Sequence, residues 1–332
     1  MIHTPLCDIL GIEHPVIQAG MGPFTSALLA ATVSNAGGLG TISTFLRPVE
    51  EVRRELALLP ALTDRPFAVN HVIPALDEEA FALGLAARPK LVSLALAEPG
   101  DLVKRAHDAG ALVMQQVTTV AQAVQASAAG VDIIVAQGGE AGGYGGAVAG
   151  MALIPQVVDA VAPIPVVAAG GIFDGRGLAA ALVLGAAGVN VGTRFLAAAE
   201  APISDAYKEL IIAAASEDAI KADVMNDIVP VGNAGYGTVL RTIRTPFIDE
   251  WQQKREEARR EVDMLRQRLL EARSAPPGSA LLVATAGQSA GGIKAVFPAA
   301  TIVRNFVTEA EEALAHGGSY LRSPSARLPA AT

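Results

Sequence analysis

The stretch Val131-Asp-Ile-Ile-Val-Ala-Gln137, continued by Gly138-Gly-Glu-Ala-Gly-Gly-Tyr-Gly-Gly146, decides the fold. Its first half is an apolar run of strand length, the pattern of a parallel strand buried on both faces. Its second half puts six glycines among the ten residues from Gln137 to Gly146. Glycines at that density cannot pack a core and cost extra backbone entropy to order, so they suit a backbone that passes close to a bound ligand. A loop of this kind at the C-terminal end of a parallel strand sits where α/β folds bind their ligands.

Outward from that stretch, short apolar runs alternate with helix-length segments from residue 14 to residue 200. The strands are expected at Val16–Ala19, Leu39–Ser43, Phe67–Val72, Leu91–Ala95, Ala111–Gln116, Val131–Gln137, Pro165–Ala169 and Val189–Thr193. Gly37, Gly110, Gly130 and Gly185 follow helical segments where a C-cap needs positive φ. Eight β–α alternations with short loops predict a (β/α)8 TIM barrel. A doubly wound open sheet is the alternative, but the first turn, Gly20-Met-Gly22, lacks the full G-x-G-x-x-G fingerprint of a dinucleotide fold.

The pattern changes after the eighth run. Residues 1–200 read as the barrel core, 201–285 as a helical excursion over or beside it, and 286–332 as a closing segment, helix and tail. Residues 201–285 offer no apolar run of comparable strength. Phe247–Arg273 reads as one long charged helix with Ala258, Val262, Leu265 and Leu269 on a single face. That face predicts either a helix lying across the barrel or a homodimer contact. Ser274-Ala-Pro-Pro-Gly278 ends the excursion, residues 306–315 read as a closing helix, and a polar tail follows that is expected to fray.

Composition narrows the function classes. Of 332 residues, 51% are hydrophobic, 17% charged and 4% aromatic, as suits a parallel sheet wrapped by helices. The net charge of −8, without a basic cluster, argues against a nucleic-acid partner. Cys7 is the sole cysteine, which excludes an intrachain disulfide and fits a reducing compartment. No signal-peptide pattern opens the chain, and apolar runs stop short of a membrane span, so a cytoplasmic protein is expected.

The chemistry is expected at the ends of the runs. The first ends in Gln18-Ala-Gly-Met-Gly22, the third in Asn70-His71, the sixth in Gln137 and its glycine loop, the seventh in Ala168-Ala-Gly-Gly-Ile172, and the eighth in Gly192-Thr-Arg194. Barrels often bind a phosphate with the last two loops. Gly170 and Gly171 free backbone N–H groups for its oxygens, and Thr193 adds a hydroxyl. His3, His14, His107 and His316 share no metal-ligand spacing with one another or with Cys7, and no metal site is expected. Cys7 precedes the first run and is badly placed for a nucleophile. Glu140 could orient backbone or a ligand hydroxyl, Asp174 reads as a helix N-cap, and Tyr236 and Arg241 could line the mouth.

Pro15-Val-Ile-Gln-Ala-Gly-Met-Gly22, Gln137-Gly-Gly-Glu-Ala-Gly-Gly143, Ala168-Ala-Gly-Gly-Ile172, Gly192-Thr-Arg-Phe195 and Gly287-Gln-Ser-Ala-Gly291 occur in that order. Together they resemble the nitronate monooxygenase family, formerly the 2-nitropropane dioxygenases, with its flavin-dependent enoyl-reductase relatives. The resemblance spans nearly the whole chain. It implies that the phosphorylated ligand is FMN. Gly170, Gly171, Gly192 and Thr193 would hold the phosphate, and Ala19, Gly20, Met21 and Gly22 would lie against the ring. Asn70, Gln137, Gly142, Gly143 and Gln288 would complete the cofactor site.

One position departs from the family. Its glycine loop usually continues Glu-Ala-Gly-Gly-His, with the histidine as base or proton donor, and here Tyr144 stands there. A phenol with a pKa near ~10 is a poor general base at neutral pH, though it can donate a hydrogen bond. Either an already ionised nitronate reacts without a base, or His71, at the end of the third run, supplies an imidazole to the same mouth; a His71 that only hydrogen-bonds its own loop is the structural alternative. The implied activity is oxidation of alkyl nitronates with O2. The alternatives are NAD(P)H-dependent reduction of quinones or enoyl thioesters, and a flavin-binding protein with little turnover.

Overall fold

Each expected run becomes a strand in the computed structural model, which describes residues 2–233, 236–273 and 281–321. They are β1 (Val16–Gln18), β2 (Gly40–Ser43), β3 (Phe67–Val72), β4 (Leu91–Ala95), β5 (Leu112–Val117) and β6 (Ile133–Gln137). After a short strand of another sheet, β7 (Gly143–Gly145), come β8 (Val166–Ala169) and β9 (Gly188–Val191). The barrel order is β1-β9-β8-β6-β5-β4-β3-β2, with all neighbours parallel. A parallel bridge from Ile17 to Leu39 brings β1 against the approach to β2, so no edge is left open.

Local chemistry sets the helices between these strands. Ser26, Asp77, Thr119 and Asp174 each place a side-chain oxygen on a first-turn N–H of the helix that follows. The four glycines expected at C-caps take φ of 90°, 82°, 85° and 93° at Gly37, Gly110, Gly130 and Gly185. Gly40 is needed for a different reason: a Cβ there would run into the Ala30 backbone, where helix Ala27–Asn35 presses on β2.

Alternate strand residues face opposite sides, which splits the barrel into two kinds of core. Ile17, Leu39, Ala68, Leu91, Met114, Ile133, Val135 and Val167 fill the lower interior. Helix Pro5–Leu10 closes it from below with Leu6, Cys7 and Leu10, so Cys7 is part of the floor. Outward residues such as Val92, Val113, Ile134 and Val189 pack under the surrounding helices. Each large apolar side chain buried this way contributes roughly 1.5–3 kcal/mol. Higher in the barrel, buried Ser43, Asn70, Ser93 and Gln137 take over.

The excursion departs from expectation. It contains helices, including Asp205–Ala213 and Asp223–Ile228, and also two strands, β10 (Ala219–Lys221) and β11 (Val239–Ile243). These pair antiparallel, and β11 pairs in turn with β7, with Leu240 opposite Tyr144. The glycine loop is thus partly zipped into the excursion's sheet. The expected single helix over 247–273 is three, Pro246–Gln253, Arg255–Arg260 and Val262–Arg273, bent at Lys254 and Glu261. Ala258 and Leu265 face inward onto Ile228, Phe247 and Trp251, so this stripe covers the excursion's own core. The closing helix runs from Ala299 to Gly318 and packs along helix Gly175–Val183. The Ser274–Gly278 break and the polar tail lie outside the described residues. No helix among the described residues is long and apolar enough to cross a membrane.

Candidate active site

The register of the parallel strands builds the site. Ala169 of β8 lies level with Asn190 of β9, so Gly170-Gly171 and Gly192-Thr193 emerge side by side. Gly170 and Gly171 take φ of 96° and 74°, a conformation open to glycine at little cost. A Cβ on Gly170 would lie 2.9 Å from the Gly138 carbonyl oxygen, which shows how closely the β8 loop presses on the β6 loop. The segment from Gly287 completes the ring. Gly287 N donates to Thr193 Oγ1 at 2.9 Å, and Gln288 N donates to the Glu140 carbonyl at 2.9 Å. Gly142 meets that segment so tightly that a Cβ would come 2.5 Å from Gly287 N. Gln137, Gly142, Gly170, Gly171, Gly192, Thr193 and Gln288 are therefore gathered at one end of the barrel.

The β1 loop lies beside the β9 loop and continues the ring. Ala19 N donates to Val191 O at 2.9 Å, and the Cβ position of Gly192 lies 3.8 Å from both Ala19 Cβ and Met21 Cγ. Gly20 rests directly on Asn70, whose Cγ and Oδ1 a Cβ would overlap. Gly22 turns the chain at φ 57°. Asn70 is itself fixed, accepting from Ser43 Oγ at 2.9 Å and donating to the Ser93 carbonyl at 3.2 Å. Gln137 Oε1 is buried with no hydrogen-bond partner among the described residues. Buried acceptors are rarely left unpaired, so this atom faces a donor that the protein does not supply.

His71 is not part of this mouth, contrary to expectation. Asn70 points into the barrel, and strand alternation sends its neighbour outward. The His71 ring packs edge-on against Phe81 at 4.9 Å and lies against Gly84, both on helix Glu78–Ala86. Its Nδ1 shares a hydrogen bond with Thr44 Oγ1 at 2.9 Å. Burial pulls its pKa down to about 4, which keeps the imidazole neutral at ordinary pH.

Tyr144 does face this end, from β7. Its hydroxyl donates to the Val229 carbonyl at 3.2 Å, and burial pushes its pKa up to about 12. It is a neutral donor throughout the physiological range. Two cations that strand pairing sets opposite each other, Lys221 and Arg241, hold the loop around it. Arg241 Nη2 donates to Gly139 O at 2.7 Å and its Nη1 to Ala219 O, while Lys221 Nζ donates to the carbonyls of Gly145, at 3.0 Å, and of Gly146. Glu140 is spent on structure, with both carboxylate oxygens 3.0 Å from Gly150 N. Sequence reading placed Arg241 at the mouth as a lining residue and overlooked Lys221; only the pairing of two weak strands with a glycine strand reveals their common task. Tyr236 does reach the mouth, its N–H bonded to Leu96 O beyond β4 at 3.1 Å.

Comparison with known proteins agrees with this architecture. An enzyme of Mycobacterium tuberculosis described as (3aS,4S,5R,7aS)-5-hydroxy-7a-methyl-1-oxo-octahydro-1H-indene-4-carboxyl-CoA dehydrogenase is 44% identical over 210 residues, 62% of this chain. That match spans only 59% of the relative's own length. A probable nitronate monooxygenase of Staphylococcus saprophyticus is 33% identical, covering 68% of this chain and 76% of the relative. The solved structure of FabK from Thermotoga maritima superposes with a TM-score of 0.87 at 31% identity, over 97% of this chain and all of that one. The family model for nitronate monooxygenase matches residues 3–309. With four glycine-bearing strand ends on one barrel and a family match across nearly all of its length, the chain belongs to the nitronate monooxygenase family.

Proposed function

We propose that the chain is an FMN-dependent oxidoreductase that exchanges a hydride with an acyl thioester. The residues present fit FMN. The paired left-handed glycines, the bare backbone of Gly20 over Asn70 and the unpaired Gln137 Oε1 bring exposed backbone and an unmet acceptor to one end of the barrel. There, Gly170, Gly171, Gly192 and Thr193 would hold the phosphate and Ala19, Gly20, Met21 and Gly22 the ring face. Asn70, Gln137, Gly142, Gly143 and Gln288 would meet its polar edge. FMN supplies the electron transfer that side chains cannot. Thr193 Oγ1 already accepts from Gly287 N, so its own proton remains to donate to an oxyanion.

The observation that carries the reaction class is Tyr144. The phenol is neutral, so it takes no carbon proton from a substrate, and its single proton, held by the Val229 carbonyl, would reach a substrate oxygen only by leaving that carbonyl. A neutral donor suits a thioester carbonyl polarised during hydride exchange, and the M. tuberculosis relative is named for a carboxyl-CoA substrate. A second reading, oxidation of an alkyl nitronate with O2, is favoured by the family model and is equally free of a base, because a nitronate is already ionised. A neutral nitroalkane fits neither.

Anaerobic mixing of the flavin-loaded protein separates these readings. Reduction by NADH or NADPH and reoxidation by crotonyl-CoA supports the thioester reading. Bleaching by propionate 3-nitronate alone transfers support to nitronate oxidation. A protein that cannot be loaded with FMN defeats both.

A further inference from the structure

The third residue of Gly192-Thr-Arg194 has no part in the cradle, and its side chain leaves the barrel on the other side. We propose that the crevice it enters, between helices Gly175–Val183 and Ala299–Gly318 and residues 292–297, binds a small amphipathic oxyanion, a carboxylate or phosphate monoester on an apolar body. The cavity measures about 270 Å³, just under the usual small-molecule range. None of its lining is shared with Gly170, Gly171, Gly192 or Thr193.

Its anchor is Arg194, only 6% exposed. Nη1 donates to Ala295 O at 2.9 Å, and the guanidinium carbon sits 5.2 Å from the centre of the Phe297 ring. Arg194 lines the crevice, and its Nη2 is buried and has no hydrogen-bond partner among the described residues. A buried guanidinium with an unused donor is costly unless an acceptor comes to it. Burial also pulls its pKa below the ordinary arginine value, while Glu309 pulls the other way.

The acids of the lining are already committed. Asp174 takes Gly177 N at 3.3 Å and the Arg176 guanidinium, and Glu309 Oε2 takes Gly175 N at 2.8 Å. Neither carboxylate forms an ion pair with Arg194 among the described residues. Lys294 adds a further positive charge to the lining, while Ile293, Ile302 and Phe306 give it apolar surface for a short chain or ring. Three cations, Arg176, Arg194 and Lys294, outweigh two carboxylates, Asp174 and Glu309, in the lining, and the apolar side chains beside them favour an oxyanion with an apolar body over a free inorganic ion.

Ligand-observed saturation-transfer NMR on the purified full chain tests this with hexanoate, hexyl phosphate and the neutral hexanamide, each at up to about 10 mM. Transfer to hexanoate or hexyl phosphate, with at least tenfold weaker transfer to hexanamide, is the expected result. Whichever of the two displaces the other identifies the head group. Arg194→Gln should abolish the transfer. Asn305→Trp, which fills the crevice from the closing helix without touching Arg194, should abolish it too while leaving the circular dichroism unchanged. Undiminished transfer in Asn305→Trp, equal transfer to hexanamide, or no transfer from either anion would overturn the proposal. None of these readouts depends on turnover, so the crevice and the cradle fail or survive separately.

Discussion

The two halves of the barrel interior are built on the same strands and to opposite ends. The lower half is apolar, sealed by helix Pro5–Leu10, and buries Ile17, Leu39 and Leu91 completely. In the upper half the chain spends its interior on Ser43, Asn70, Ser93 and Gln137, which form hydrogen bonds among themselves or leave an acceptor open. Polar side chains there give up packing energy that the floor retains. The barrel therefore separates stability from chemistry along its axis, within two residues on a single strand such as β3.

Substitutions at the two levels should have opposite signatures. The largest effect is expected from Gly20→Ala, whose Cβ would overlap Asn70 and displace either the side chain or the loop. Turnover should fall about 100-fold, as misplacement of a cradle by about 1 Å does, with little change in unfolding free energy. Steady-state rates beside a denaturant titration check this; a variant that loses stability and keeps its rate would erase the distinction.

Leu91→Ala probes the floor. It should cost about 3 kcal/mol in denaturant unfolding and leave the rate per folded molecule unchanged. His71 sharpens the line between interior and surrounding layer. Its pKa falls from 6.5 when exposed to about 4 in the fold, so between those values the unfolded chain binds more protons. Stability should accordingly be full above pH 6.5 and fall as the pH drops toward 4, by on the order of 3 kcal/mol from this group. Below pH 4 it contributes no further slope. His71→Gln should flatten that window in pH-dependent unfolding while retaining activity at pH 7.5; a tenfold loss of activity would return His71 to the site.

The smallest effect belongs to Tyr144→Phe. Losing the bond to Val229 O should cost about 1 kcal/mol of stability. Because the phenol ionises only near 12, no alkaline limb assignable to Tyr144 should appear in the pH–rate profile below pH 10. A limb that disappears in the Phe variant would mean that the phenol ionises in turnover.

Most of the barrel was legible because its signals are local: apolar runs of strand length, capping side chains and positive-φ glycines each announce themselves within a few residues. The gathered glycines at the strand ends were legible for the same reason. The side that His71 faces was not. Buried parallel strands carry apolar residues on both faces, so alternation gives no parity, and a shift of one position exchanges Asn70 for His71. The strands β10 and β11 were missed because β10 has only three residues, β11 is interrupted by Arg241-Thr242, and their partner β7 is Gly143-Tyr-Gly145, whose glycines carry no strand propensity. The bends at Lys254 and Glu261 have no proline or glycine to mark them.

The membership of β7 in the excursion's sheet gives the loops at this end of the barrel two separate supports. The wall that bears Tyr144 takes its aim from β11, Lys221 and Arg241, whereas the β8 and β9 loops take theirs from the barrel. A change confined to the excursion can therefore re-aim Tyr144 while leaving the β8 and β9 loops in place.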